Sequence, residues 1–273
     1  MQKYFVTFAV MKNELEAFEV AFSEVLSSEV VSMDRILGYI ASVKGKRLRP
    51  RLVFLTARLF GEPNETTMRT ALFVEMLHTA TLIHDDVVDG SEFRRGQPSV
   101  NAQWDTNTAV LTGDYLLAKA MSLLSGPSDY PILNEMLKVA MKMSEGEILQ
   151  NGKLSTENEK AIYLEIIERK TAQLIRACCL GGAMTVLEEK AEERRQKLEL
   201  VGEFGLNLGL VFQMRDDILD NDDDLATAIA EQQLPLYLDK ALKGLDALAP
   251  MVKDQEAWAQ LRELTVFCAE RNH

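Results

Sequence analysis

Apolar residues recur every three to four positions along nearly the whole chain, the period of helices with a buried face. This spacing predicts helices over 3–27, 32–43, 51–59, 66–89, 106–124, 132–150, 157–187, 191–220, 235–248 and 254–271. Thr156 with Glu159 reads as a capping box that opens the seventh helix. Pro63-Asn64, Gly126-Pro127 and Asn151-Gly152 punctuate the helices as turns. Alternation is nowhere sustained enough to predict a strand, and nothing repeats at a solenoid period. Residues 71–83 are apolar all round except for Glu75, His78, Thr79 and Thr81. Such a helix belongs at the centre of an all-α protein.

Two of these helices end in the same five-residue pattern, Asp85-Asp86-Val87-Val88-Asp89 and Asp216-Asp217-Ile218-Leu219-Asp220. Residues four apart share a helix face, so Asp85 with Asp89, and Asp216 with Asp220, aim paired carboxylates in one direction. Left unneutralised, such pairs repel. Hard oxygen ligands in pairs suit Mg²⁺, which one or two carboxylates hold together with substrate phosphates. Directly after the first pattern, Gly96 and Pro98 mark a loop that carries Arg94 and Arg95, planar donors suited to phosphate oxygens. Acid for a metal beside base for a phosphate predicts a metal-bridged diphosphate clamped between two helices. The apolar helix below predicts a hydrocarbon tail on it.

Composition narrows the class. With 30 basic and 42 acidic residues the net charge is −12, which argues against a nucleic-acid partner. No proline falls between Pro131 and Pro235, which leaves room for long helices and none for an evident linker. Cys178, Cys179 and Cys268 make no disulfide framework and read as small core residues in a reducing, cytoplasmic setting. Lys12, Glu14 and Glu16 interrupt any signal-like start, and no apolar run approaches the roughly 20 residues of a membrane span.

Taken together, these residues resemble the trans-isoprenyl diphosphate synthases. The likeness runs through Gly45-Lys46-Arg47-Leu48-Arg49-Pro50, then from His78 through Asp89, and Arg94-Arg95-Gly96. It continues in Gly113-Asp114-Tyr115, Gly146-Glu147, Lys170-Thr171 and from Phe212 through Asp220. The resemblance implies one polyprenyl synthase domain over 1–273, an isoprenoid-synthase helical bundle around a central cavity, and a homodimer. It implies chain elongation of an allylic diphosphate by isopentenyl diphosphate with three Mg²⁺ ions, and transient membrane contact for product release. Asp85, Asp89 and Asp216 would bind metal, supported by Asp86, Asp217 and Asp220. Arg94 and Lys170 would hold the allylic diphosphate; Lys46, Arg49, His78 and Arg95 would hold isopentenyl diphosphate. Thr171 and Gln213 would face the allylic cation, with Lys170 beside them in the catalytic set and Gln213 also touching substrate.

Upstream of Asp85, the resemblance makes Leu77, Ala80 and Thr81 the chain-length positions. Ala80 and Thr81 lie about one turn, ~5 Å, below the metals. Short-chain members of the family carry bulky aromatics there. Small residues here, in a His-Thr-Ala-Thr context like the octaprenyl type, imply a product longer than geranylgeranyl diphosphate, with Leu117 and Met121 as candidates for the channel floor. After Asp220 the chain departs from the family: Asn221-Asp222-Asp223-Asp224 replaces a longer loop, its lysines are absent, and Glu231 stands where one is expected. That loss keeps a second reading open, a weakly catalytic or regulatory subunit of a prenyl synthase. A phosphohydrolase of the HD type lacks its histidines, and a terpene cyclase would not need a second Asp-rich pattern with an Arg-Arg-Gly loop.

Overall fold

The computed structural model describes residues 12–43, 45–151, 158–188 and 191–271. Its elements run α1 (Lys12–Val25), α2 (Val31–Ser42), α3 (Leu48–Arg58), α4 (Glu65–Val88), strands β1 (Phe93–Arg94) and β2 (Gln97–Pro98), α5 (Val100–Gln103) and α6 (Thr106–Leu123). They continue with α7 (Tyr130–Asn151), α8 (Glu159–Ile167), a π-helical turn (Glu168–Ala172), α9 (Gln173–Met184), α10 (Ala191–Asp220), α11 (Asp224–Leu248), a 3-10 turn (Ala249–Met251) and α12 (Gln255–Glu270). The all-α class holds. Residues 3–11, Gly152 and Thr156, on which some of the expected boundaries rest, lie outside the described residues. Asn158 precedes α8 instead, in a left-handed conformation (φ 107°) with no side-chain cap.

Besides the short α5, which the period did not predict, three elements differ from the expectation. The strand pair is new: β1 and β2 are two residues each, antiparallel, with Phe93 opposite Pro98 and Arg94 opposite Gln97. Positive φ at Arg95 (51°) and Gly96 (75°) closes it as a two-residue hairpin turn of the type whose twist matches the strands. The single helix expected over 157–187 is broken by the π turn. The helix expected from Pro235 begins at Asp224, because Asp223 caps it by accepting from the amides of Leu225 (2.9 Å) and Ala226 (3.1 Å). Strong helix formers then carry it through Pro235. Proline donates nothing to the carbonyl of Glu231, but both residues are exposed, where a missing helix bond costs less than in the core.

The chain divides into two compact units, residues 1–51 with 68–130 and residues 52–67 with 131–273. In the first, Phe18 and Phe22 of α1 stack at 5.5 Å. Phe73, Met76 and Leu77 of α4 and Leu116 of α6 are buried. Tyr39 of α2 donates to the carbonyl of Pro98 (2.6 Å) and meets Trp104 edge-on, which anchors the hairpin. In the second, Leu52, Leu55, Phe60, Leu174, Phe204, Leu208 and Val211 are buried. Cys178, Cys179 and Cys268 are buried, the core role expected of them.

Candidate active site

In the first unit, α4 ends in the first acidic pattern, and the amide of Asp89 still bonds back to the carbonyl of Asp85 at 2.8 Å. Carboxylates at a helix C-terminus face the negative end of the helix dipole, so the position calls for a cation. Asp85 is partly buried and Asp89 exposed. Asp86 is 3% exposed. It accepts from Arg94 Nε at 2.9 Å and from Arg94 Nη2. Asp86 thus acts on the arginine that follows it. Ser99 and Asn101 donate to the carbonyl of Ser91 (2.7 and 3.1 Å), fastening the turn between them. His84 fits over Gly113, where a Cβ would lie 2.1 Å from its Nε2, and that nitrogen is 3.2 Å from the carbonyl of Val110.

The cations of this unit gather near the same helix. A pocket is lined by His78, Thr79, Leu82, Asp86, Arg94 and Arg95, among others. Burial holds the His78 imidazole well below the ordinary histidine range, and the charges of Arg49, Arg95 and Arg94 push it the same way. It is therefore neutral near pH 7 and offers a hydrogen bond, not a charge. Lys46 is exposed, and Arg49 sits in the first turn of α3, which holds no acidic residue. Basic side chains at a helix N-terminus make a ready anion site. Arg47 behaves differently from its neighbours. With φ of 50° and 7% exposure it points inward. Its guanidinium donates to Glu75 at 2.8 Å and to both oxygens of Glu19 (2.8 and 3.1 Å), and lies 4.7 Å from the ring centre of Phe22.

In the second unit, α10 ends in the second acidic pattern. Arg271 donates to Asp216 Oδ1 at 2.6 Å and to the carbonyl of Phe212, with its guanidinium over the Phe212 ring. Burial nevertheless raises the Asp216 pKa, against the pull of Arg271, and the charges of Asp220 and Asp217 add to the rise. Asp220 is exposed. Asp217 accepts from Tyr163 (2.6 Å) and Gln213 (2.8 Å), and Gln213 accepts from Thr171 (2.7 Å). Lys170 pairs with Glu147 at 2.5 Å and donates to Gln150 at 2.8 Å. Lys170 and Thr171 both lie in the π turn.

Among the described residues no three His, Cys, Asp or Glu side chains form a ready-made cation cage. The donor chemistry still fits Mg²⁺: paired oxygen ligands at two helix C-termini, one of them raised in pKa by burial, leave positions for phosphate oxygens and water.

The family model described as Polyprenyl synthetase matches residues 30–229. The chain belongs to that family. It is 37% identical over 221 residues to an all-trans-nonaprenyl-diphosphate synthase (geranyl-diphosphate specific) of Rhodobacter capsulatus, an alignment that covers 80% of this chain. It is 34% identical over 223 residues, 78% of this chain, to the octaprenyl diphosphate synthase of Escherichia coli. The aligned part spans 66% of each of these two relatives. A crystal structure of a polyprenyl synthase from Caulobacter crescentus, complexed with calcium and isoprenyl diphosphate, superposes with a TM-score of 0.81 at 27% identity, over 98% of this chain and 97% of that one. The all-α bundle is therefore the polyprenyl synthase fold.

Of the expected chain-length residues, Ala80 is fully buried and Leu77 is 2% exposed. Thr81 is partly buried, and its hydroxyl bonds back to the carbonyl of His78. Leu117 is partly buried, whereas Met121 is 39% exposed. No pattern in the sequence singles out Tyr163, Arg271, Ser99 or Asn101, and Arg47 stands there beside Lys46 and Arg49 as a basic residue of the same type. Their partners lie up to 59 residues away and leave no local signal in the sequence.

Proposed function

We propose that this chain is a Mg²⁺-dependent prenyltransferase. It elongates an allylic diphosphate by successive head-to-tail condensation with isopentenyl diphosphate and releases a trans-polyprenyl diphosphate longer than geranylgeranyl diphosphate. The observation that carries this is the set in the first unit, a paired-carboxylate helix end next to Arg94, Arg95 and a neutral His78, with Arg49 near enough for its charge to act on that imidazole. The names of the two relatives and the isoprenyl diphosphate of the neighbouring crystal structure support the substrate class.

Asp85, Asp89 and Asp216 are the metal ligands of this proposal. Asp86, Asp217 and Asp220 support them, Asp86 by holding Arg94. Bound Mg²⁺, three ions in the full complex, supplies positive charge to the diphosphate as the allylic C–O bond breaks. Arg94 and Lys170 hold that diphosphate, and Lys170 gives up Glu147 and Gln150 to do so. Lys46, Arg49, His78 and Arg95 hold isopentenyl diphosphate. Thr171 and Gln213 turn oxygen towards the allylic cation. The alkene of isopentenyl diphosphate forms the new C–C bond, and a proton leaves to the departed pyrophosphate, so a new double bond closes each cycle. Leu77, Ala80 and Thr81 leave the tail unblocked.

The whole chain is treated as one functional domain acting as a cytoplasmic homodimer. Exposed Val110 and Leu111 on α6, and Met141 and Ile148 on α7, are apolar surface for a second copy to cover. Transient membrane contact for product release is part of the proposal; among the described residues no helix is long and apolar enough to cross a membrane. Incubation with Mg²⁺, farnesyl diphosphate and labelled isopentenyl diphosphate tests the assignment. Incorporation is expected to vanish with a chelator and to fall roughly a hundredfold or more in Asp85→Asn and Asp216→Asn. Full incorporation by either variant would remove that carboxylate from the metal site.

A further inference from the structure

Tyr163 belongs to none of the patterns that carry the proposed chemistry, yet it ends a chain of side-chain hydrogen bonds leading into it. Its hydroxyl donates to Oδ2 of Asp217 at 2.6 Å. The other oxygen, Oδ1, accepts from Nε2 of Gln213 at 2.8 Å. The amide oxygen of Gln213 accepts from Oγ1 of Thr171 at 2.7 Å. Chemistry orders these bonds. An ionised carboxylate only accepts, so Gln213 must turn its nitrogen to Asp217 and its oxygen to Thr171. Thr171 then spends its one proton inward, and its lone pairs are left at the open end.

The π turn makes the arrangement possible. Tyr163 and Thr171 are eight residues apart, which on a regular α-helix separates them by about 80°. The π turn over Glu168–Ala172 takes up one extra residue, so the pair behaves as if seven apart, within about 20° of one face. That face meets Gln213 and Asp217, one turn apart on α10. Gly209 of α10 allows the approach, because a Cβ there would lie 2.5 Å from Cα of Ala172. Tyr163 itself packs on Ile167, Ala172, Leu210, Met214 and Ala230.

We propose that Tyr163 is a positioning residue: by occupying Oδ2 of Asp217 it sets the polarity of the Asp217–Gln213–Thr171 chain, so that oxygen and not a proton faces the allylic cation. This rests on Thr171 and Gln213 serving the prenyl transfer proposed above. Without the tyrosine hydroxyl, Asp217 can rotate its carboxylate away from Gln213, and an amide that no longer faces a carboxylate can flip. A flipped amide donates to Thr171, whose proton then points at the cation.

Tyr163→Phe keeps the ring and its packing and removes only the donor. The expected result is a kcat lowered roughly tenfold, with KM for both diphosphates within about twofold of wild type. The double variant Tyr163→Phe, Asp217→Asn should lose no more kcat than Asp217→Asn alone, since the tyrosine acts through that carboxylate. A readout independent of turnover is the side-chain amide resonance pair of Gln213, assigned by its loss in Gln213→Met, which should shift in Tyr163→Phe. An unchanged kcat, multiplicative losses in the double variant, or unmoved Gln213 resonances would each overturn the proposal. A wild-type protein that condenses no diphosphates would contradict the proposed function instead, and the resonances would still decide whether Tyr163 orients Gln213.

Discussion

Arg47 and its neighbours Lys46 and Arg49 are alike in type and read alike in sequence, but burial separates them. Arg47 is locked between Glu19, Glu75 and Phe22, with both partners in the Glu75 pair about 5% exposed. Removing it strands a buried carboxylate. Arg47→Met should therefore cost ~3–5 kcal/mol in urea unfolding, while Lys46→Met leaves the unfolding midpoint in place and raises KM for isopentenyl diphosphate. His78 makes a pH prediction. Its folded-state pKa lies well below the ordinary 6.5, so the folded protein keeps it neutral where the unfolded chain binds a proton. Its contribution is constant above pH 6.5 and is lost as pH falls below it, with a slope of at most ~1.4 kcal/mol per pH unit. Unfolding midpoints of wild type minus His78→Gln, between pH 7.5 and 5.5, check this; the subtraction removes the opposite drift from Asp216 and Asp217, whose pKa values are raised. A difference that stays flat would mean that His78 is not desolvated.

At the scale of elements, the long periodic helices were legible to within a few residues: α4 and α10 carry their acidic ends where the 3.6-residue period put them. What escaped has a physical reason in each case. Pro235 reads as a helix start because proline is tolerated at a first turn, and only the cap at Asp223 and the solvent beside Glu231 explain why it sits inside α11. The acidic run 222–224 that looked like a charged loop serves as that cap and first turn. The hairpin is too short for alternation to register, although its Arg-Gly turn was in view. The π turn is invisible to a period count because one residue of slippage is lost in the tolerance of the pattern. Its support can be tested: Gly209→Ala places a Cβ against the backbone of Ala172 and should cost ~1–3 kcal/mol. Thermal melting and kcat should fall together, and a variant as stable and active as wild type would show that α10 needs no such close approach.

At the scale of the whole molecule, membership of the polyprenyl synthetase family was legible because several ordered motifs share one chain, where any single one would be weak. The residues proposed to handle substrate stand out in the sequence by type, but their partners do not: Asp86 on Arg94, Arg271 on Asp216 and Tyr163 on Asp217 join positions 8, 55 and 54 residues apart. The proposed path of the tail runs past Ala80 and Thr81, so Ala80→Phe should shorten the product by at least one five-carbon unit, at an overpacking cost of ~1–3 kcal/mol at this fully buried site. The most direct measurement is chromatography of the product made by the wild-type protein from Mg²⁺, farnesyl diphosphate and isopentenyl diphosphate. An all-trans chain longer than geranylgeranyl diphosphate is expected; no elongation, or a product that stops at geranylgeranyl diphosphate, would contradict the proposed function.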